Sequence, residues 1–295
     1  MFQGTSIEQL NKFFKNEDDC RQYLFDLKWK NGYQCRRCGC TKSYKGQTRF
    51  HQRCQNCRYD ESVTAHTIFH KIKIPLFKAF GMAFRIAVRK KGMSTLELSK
   101  EFSINKKSSW LFKRKTQEAM KSSGSIQTHR KAEVDMLLIR GQGMSRLGRK
   151  RMERGKVEII AEKIKGKKIG RAFGRSIKAG GRGNTESYLH RGIDQHQERM
   201  FMDGFERNWS LKRDFKFGQR SSRRKRRFPG FDVVVMNLNR WLRGIHHHCS
   251  IRFVNGYLDE FFFRFNRRNA LTSIWHQLIE QFMANPPYQY IANEA

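Results

Sequence analysis

Apolar positions along the chain change period, and the changes mark out three stretches. In DDCRQYLFDLKW (18–29), Tyr23, Leu24, Leu27 and Trp29 recur at helical spacing and predict a short helix that carries them inward. Residues 76–120 hold three further helical runs, LFKAFGMAFRIAVRKKG, STLELSKEFSI and NKKSSWLFKRKTQEAMK. A polar segment rich in Ser and Gly, SSGSIQTHRK (122–131), reads as a linker. Beyond it AEVDMLLI, KVEIIAEKI and ERMFMD take the character of strands, while SYLHRGIDQH, DVVVMNLNRWLRG and SIWHQLIEQFM read as helices. The pattern predicts domains over 1–75, 76–123 and 124–295, with no internal repeat.

Six of the seven cysteines fall in the first stretch. Cys35 and Cys38 form one C-x-x-C and Cys54 and Cys57 a second, fifteen residues on. Each pair can sit on a tight knuckle that points both sulfurs at one spot, and two knuckles complete the tetrahedral thiolate site of a structural Zn²⁺. The competing reading is buried free cysteines or a redox pair. Cys40 lies close enough to compete but has no counterpart at the second knuckle. Cys20, Cys40 and Cys249 are therefore expected to be non-ligands, with His51 as the substitute ligand if one is needed.

Charge adds a partner. Lys and Arg number 61 against 26 Asp and Glu, a formal net charge of +35. Such an excess opposes compaction unless a polyanion screens it, and nucleic acid is the obvious one. Apolar content of 38% is too high for a disordered basic tail. No apolar run reaches membrane-spanning length and no hydrophobic leader opens the chain, so a cytosolic protein is expected. Within 94–120 the proportions are helix, short turn, helix. Ser94 or Thr95 would cap the first helix, with Leu96, Leu98 and Phe102 as its apolar positions; Asn105 would cap the second. Trp110 and Leu111 would then pack inward, leaving Lys106, Lys107, Lys113 and Arg114 for phosphate or the major groove. An ordinary helical hairpin with a solvated basic face is the plainer alternative.

Acids in apolar settings are informative in so basic a chain. Asp135 interrupts AEVDMLLI, Asp203 ends a strand just before Gly204, and Asp232 opens a helical run after the basic stretch RSSRRKRR (220–227) and a Pro-Gly turn. Converging from two strands and a helix, three carboxylates can hold two Mg²⁺ or Mn²⁺ ions for in-line attack on a phosphodiester. Their plainer roles are a cap, a turn residue and a salt-bridge partner. Glu260 in YLDEFFFRF is a rival third carboxylate, or a salt-bridge partner of Arg264 or Arg267. His246, His247 and His248 point in different directions from one helix end and read as packing or DNA contacts. RSSRRKRR is a phosphate-binding loop or a solvated charge run, and its position between two of the acids favours the first.

The run NLNRWLRGIHHHCS, followed by GYLDEFFFRFNRRN, resembles the signature of bacterial insertion-sequence transposases that begin with a zinc ribbon. WKNGYQCRRCG, SVTAHTIFHKIKIPL and the segment from GMSTLELS extend the resemblance over nearly the whole chain. It implies a zinc ribbon with an N-terminal helix, a helix-turn-helix, and an α/β RNase H-like core with a mixed sheet and an Asp–Asp–Glu type site. AEVDMLLIRG then places the first acid on Asp135 and MFMDGF the second on Asp203; counting back from Trp241 and Gly244 places the third on Asp232. Five positions depart from the family. Met136 stands where an acid is common, and Asp232 where Glu, Asn or His is expected. Phe205 and Asn208 replace the aromatics usual after the second acid, and His66 replaces a glycine. The resemblance implies a nucleoid-associated DNA transposase acting as a homo-oligomer on double-stranded element ends and target. Its rival is a non-catalytic zinc-ribbon DNA-binding protein, a decayed transposase.

Overall fold

In the computed structural model, which describes residues 1–121, 132–144, 150–164, 169–177, 200–203, 217–220, 229–246 and 250–289, both N-terminal helices start at capping boxes. Ser6 and Gln9 open α1 (Ile7–Phe13) by exchanging side-chain to backbone hydrogen bonds, and Asn16 and Asp19 open α2 (Glu17–Lys28) in the same way. The next long helix, α3 (Leu76–Val88), follows Pro75, which has no capping side chain. Its first amides are taken instead by Glu17, whose carboxylate accepts from Leu76 N–H at 3.1 Å and Phe77 N–H at 2.9 Å. That contact satisfies otherwise orphaned donors and sets a negative charge against the positive end of the helix dipole.

Helices α4 (Thr95–Glu101) and α5 (Lys106–Ala119) follow α3 and are joined by the four-residue connection Phe102–Asn105. Ser94 caps α4 through a capping box with Glu97, and Asn105 Oδ1 accepts from Lys107 N–H at 2.8 Å. The inward face of α5 differs from the sequence reading. Ser109, Phe112, Lys113, Thr116 and Gln117 are buried, whereas Trp110 and Leu111 are only half-buried. These positions recur at three- and four-residue steps around Phe112, so the helical period turns Lys113 inward with them. Its aliphatic stem is covered, and its ammonium donates to the Met93 carbonyl. Arg114 is buried too, while Lys106 and Lys107 stay exposed. On α4, Leu98 is buried but Leu96 is exposed.

The chain divides into two compact units, Met1–Ala119 with Ala270–Ala295, and Met120–Asn269. Helix α8 (Ile274–Ala284), which the sequence reading places in the 124–295 segment, thus packs in the first unit. Trp275 is its centre: fully buried, ringed by Phe2, Phe14, Tyr23 and Phe80, with its indole N–H donating to the Phe80 carbonyl at 3.2 Å. Ile274, Leu278, Ile279 and Phe282 bury the rest of that face. The Phe282 carbonyl accepts from Ile68 N–H at 3.0 Å, and Tyr23 OH bonds His276 Nδ1.

In the second unit five strands form one sheet: β4 (Ala132–Met144), β5 (Lys150–Lys163), β6 (Ile169–Ile177), β7 (Met200–Asp203) and β8 (Phe217–Arg220), in the order β6-β5-β4-β7-β8. The first three pair antiparallel, and β7 and β8 join parallel to β4 and to each other. Val157, Ile159, Ala161 and Ala172 pack on α6 (Pro229–Ile245) and α7 (Val254–Asn266) through Phe231, Val234, Leu238, Leu258 and Phe262. Gly174 makes the close approach possible, since a Cβ there would lie 2.5 Å from the Phe262 ring. Asn266 then caps β6, accepting from Ala172 N–H at 2.8 Å and donating to its carbonyl at 2.9 Å; Asn255 accepts from Ser176 N–H at 2.8 Å. Side chains of α7 thus pair with part of the β6 edge. The linker 122–131, SYLHRGIDQH and most of RSSRRKRR lie outside the described residues. Among those described, no helix is long and apolar enough to cross a membrane.

Two outcomes follow. Trp275→Ala should cost the first unit about 3–5 kcal/mol, the range for emptying a large aromatic site, measured by urea unfolding followed by circular dichroism. Glu158 on β5 is 1% exposed and its Oε2 has no hydrogen-bond partner, so burial pushes its carboxyl up to about 7. A carboxyl raised in the folded state contributes stability below its unfolded value that is lost as pH rises through the folded one. Between pH 5 and pH 8 the stability of Glu158→Gln relative to the unmutated protein should therefore rise by about 3 kcal/mol. A pH-independent difference would contradict this.

Candidate metal centre and acidic site

The first candidate site is built on three short antiparallel strands, β1 (Ser43–Lys45), β2 (His51–Cys54) and β3 (Asp60–Ser62). Each C-x-x-C closes as a knuckle. Gly39 N–H donates to the Cys35 carbonyl at 2.9 Å, and Arg58 N–H to the Cys54 carbonyl at 3.2 Å. The residue after each second cysteine takes positive φ, 73° at Gly39 and 61° at Arg58. Glycine does this freely; Arg58 does it while its guanidinium donates to Tyr44 OH at 2.7 Å.

The knuckles bring four sulfurs together. Cys35 Sγ lies 3.5 Å from Cys57 Sγ, Cys38 Sγ lies 3.5 Å from Cys54 Sγ, and all four fall within 4.8 Å of one another. Zinc with bonds of about 2.3 Å spaces four tetrahedral sulfurs roughly 3.8 Å apart, so the quartet fits that ion. Burial disfavours the Cys35 thiolate, yet the N–H groups of Cys38 and Arg37 outweigh it and lower the thiol to about 6. Burial is likewise outweighed at Cys54 by the Cys57 and Asn56 amides. At Cys57 the Tyr59 amide pulls down, but burial and the three other sulfurs push the thiol up to about 12. Crowded thiols that resist full ionisation together are relieved by a divalent cation.

His51 is no ligand here: its Nδ1 bonds Thr48 Oγ1 at 2.6 Å. Cys40 is half-buried near the Lys42 carbonyl, and Cys20 is buried in α2. A second contact anchors the ribbon. Lys28 of α2 meets Glu61 of β3 at 2.7 Å and donates to the carbonyls of Ser62 at 2.7 Å and Ala65 at 2.9 Å. Both charges are buried, and each is compensated. His66, standing where the family that the sequence resembles has glycine, takes φ 61° and is bonded to Tyr59 OH at 2.8 Å.

The second candidate site lies in the five-stranded sheet. Glu133 pairs with Phe201 and Val134 with Met202 across the parallel β4–β7 ladder. One residue further, the same register sets Asp135 level with Asp203 on the neighbouring strand. Asp135 is also the register partner of Ile159, which belongs to the cluster that α6 and α7 cover. Asp232 is in the first turn of α6 and exposed. Glu260, the rival third acid, is fully buried in α7, 3.9 Å from Arg264. His246 packs against Tyr257, with ring centroids 4.0 Å apart and planes tilted by 31°, and meets the Trp241 ring edge-on. His247, His248, Cys249, Phe205 and Asn208 lie outside the described residues. Glu158 was not singled out from the sequence, although it interrupts an apolar run just as Asp135 does.

Comparison with known families bears on both sites. The transposase zinc-ribbon domain matches residues 15–60, which span both knuckles. The ISXO2-like transposase domain matches residues 191–266, which span Asp203, Asp232 and the two helices on the sheet. The chain carries the domains of an insertion-sequence transposase with a zinc ribbon. No curated protein matches it. The transposase match begins beyond β4, so it does not include Asp135.

One zinc per chain is expected, and it should be lost in the double variant Cys54→Ser, Cys57→Ser. The small cluster of Tyr33, Cys35 and Cys54 with Trp29, Cys57 and Tyr59 is too slight to hold the ribbon by itself. Elemental analysis of the purified protein checks this, and zinc retained by the double variant would refute the ligand assignment.

Proposed function

We propose that the protein is a DNA transposase of the Asp–Asp–Glu type, working on DNA in the bacterial cytoplasm as a homo-oligomer. Its five-stranded sheet is read as an RNase H-like core, a reading supported by the order β6-β5-β4-β7-β8 with three antiparallel strands followed by two parallel ones. The observation that carries the proposal is the β4–β7 register. Asp135 and Asp203 occur level on adjacent parallel strands, and Asp232 opens the helix that packs on that sheet.

In this reading the three carboxylates are ligands for Mg²⁺ or Mn²⁺. Such ions, when bound, activate water or a 3′-hydroxyl and stabilise the leaving oxygen of the scissile phosphodiester. The protein's own contribution is positional. Strands fix two acids at one level, the helix brings the third, and surrounding Lys and Arg side chains hold the flanking phosphates. Hydrolysis frees the element's 3′ ends, and their hydroxyls then attack target phosphodiesters, so no covalent enzyme intermediate forms. The zinc ribbon and the α4–α5 pair, read as a helix-turn-helix, bind the terminal inverted repeats. Lys106 and Lys107 at the start of α5 meet the DNA, since Lys113 and Arg114 are buried.

The experiment uses DNA carrying the inverted repeats that flank the encoding gene. Asp135→Ala or Asp203→Ala should lower Mg²⁺-dependent strand cleavage at least 10²-fold, the loss expected when one strong electrostatic contributor is removed, with repeat affinity nearly unchanged. An unmutated protein that binds the repeats yet never cuts them with Mg²⁺ or Mn²⁺ would be the non-catalytic DNA-binding protein instead.

A further inference from the structure

Helix α6 divides cleanly into two faces. Phe231, Val234, Leu238, Trp241 and Leu242 are buried against the sheet and α7. At about 100° per residue, the exposed positions Asp232, Val233, Met236, Asn237, Arg240 and Arg243 share the opposite side. Val233 is 47% exposed and Met236 42%, and among the described residues of this unit they are the large apolar side chains most open to water. The core does not use them. They sit one turn apart, between Asp232 at the start of the helix and the two arginines further along.

We propose that this face of α6 is a wedge for unpaired DNA: Val233 and Met236 stack on bases at a splayed DNA end while Arg240 and Arg243 hold the adjoining phosphates. The inference rests on the transposase reading and adds the kind of DNA that the site takes. Apolar side chains inserted between base steps are an established means of holding a distorted duplex, and flexible, unbranched Met and compact Val offer contact area without selecting a base. Charge favours DNA over a second copy of the chain as the occupant. Self-association through this face would bring together two arginine-bearing surfaces of a protein of net charge +35, whereas a polyanion is drawn to them. An acid proposed to act on phosphodiesters also lies on the same face, so strands brought to Asp232 pass over Met236 within one helical turn.

Two duplexes of equal length and composition test the idea, one fully paired and one with mismatches over its last few base pairs. The unmutated protein should bind the splayed duplex at least roughly fivefold more tightly, the lower end of what one stacked base contributes. Val233→Ser with Met236→Ser should erase that preference and leave affinity for the paired duplex within about twofold, because both side chains lie outside the core. Equal affinity of the unmutated protein for the two duplexes, or a preference that survives the double substitution, overturns the wedge while leaving DNA binding intact. Failure to bind either duplex overturns the transposase reading and the wedge together. Loss of a dimer in the double variant, seen by light scattering with the DNA preference unchanged, would assign the face to a second copy and refute the proposal.

Discussion

The burial of Trp275 decides how this chain is put together. Its indole fills the space between Phe2, Phe14, Tyr23 and Phe80 and anchors its own N–H on the Phe80 carbonyl, so residues from the two ends of the sequence make one core. The first unit is complete only when the chain has passed through the five-stranded sheet and returned. A deletion near the C-terminus is therefore a deletion from the core around which α1, α2, α3 and α5 are arranged. In a domain of this size, a buried aromatic cluster is a large part of the net stability.

Around that core, long-range polar contacts do what local sequence does not. Glu17 lends α3 the cap that Pro75 cannot supply. Lys28 and Glu61 join α2 to the ribbon through a buried ion pair whose ammonium is also satisfied by two carbonyls. These contacts give the sulfur quartet a firm footing, since three strands of three or four residues have little core of their own. In the second unit Asn255 and Asn266 play a comparable part, closing the backbone edge of β6 onto α7. The sheet is thereby held to α7, and α6, the helix that carries Asp232, packs in the same core.

An excess of positive charge sets a limit on how the protein can be arranged. Most basic side chains must stay at the surface, and among the described residues three of the more buried ones are compensated individually: Lys113 by a carbonyl, Lys28 by Glu61, and Arg264 by Glu260 and the face of Trp241. Glu158 is the reverse case, an acid buried with an oxygen unpaired. Its burial lies on the strand beside Asp135, one residue out of register with it.

Much of this was legible in the residues alone. The paired C-x-x-C spacing determined the sulfur quartet, because a knuckle is a local structure and needs only its own few residues. Helices α2 to α5 and strands β4, β5 and β7 were likewise readable from period, as hydrophobic repeats reflect which side of an element is covered. The three candidate acids stood out by their settings among apolar residues, and resemblance to a family gave them their roles. What the sequence could not determine were the facts that depend on residues far apart. The register that sets Asp135 level with Asp203 joins strands more than fifty residues apart. The return of α8 to the N-terminal core shows only as an apolar stripe, which says that a helix is covered but not by what. The direction of Lys113 was misjudged for the same reason: a charge suggests solvent, but the turn of the helix around Phe112 and a carbonyl within reach at Met93 decided otherwise.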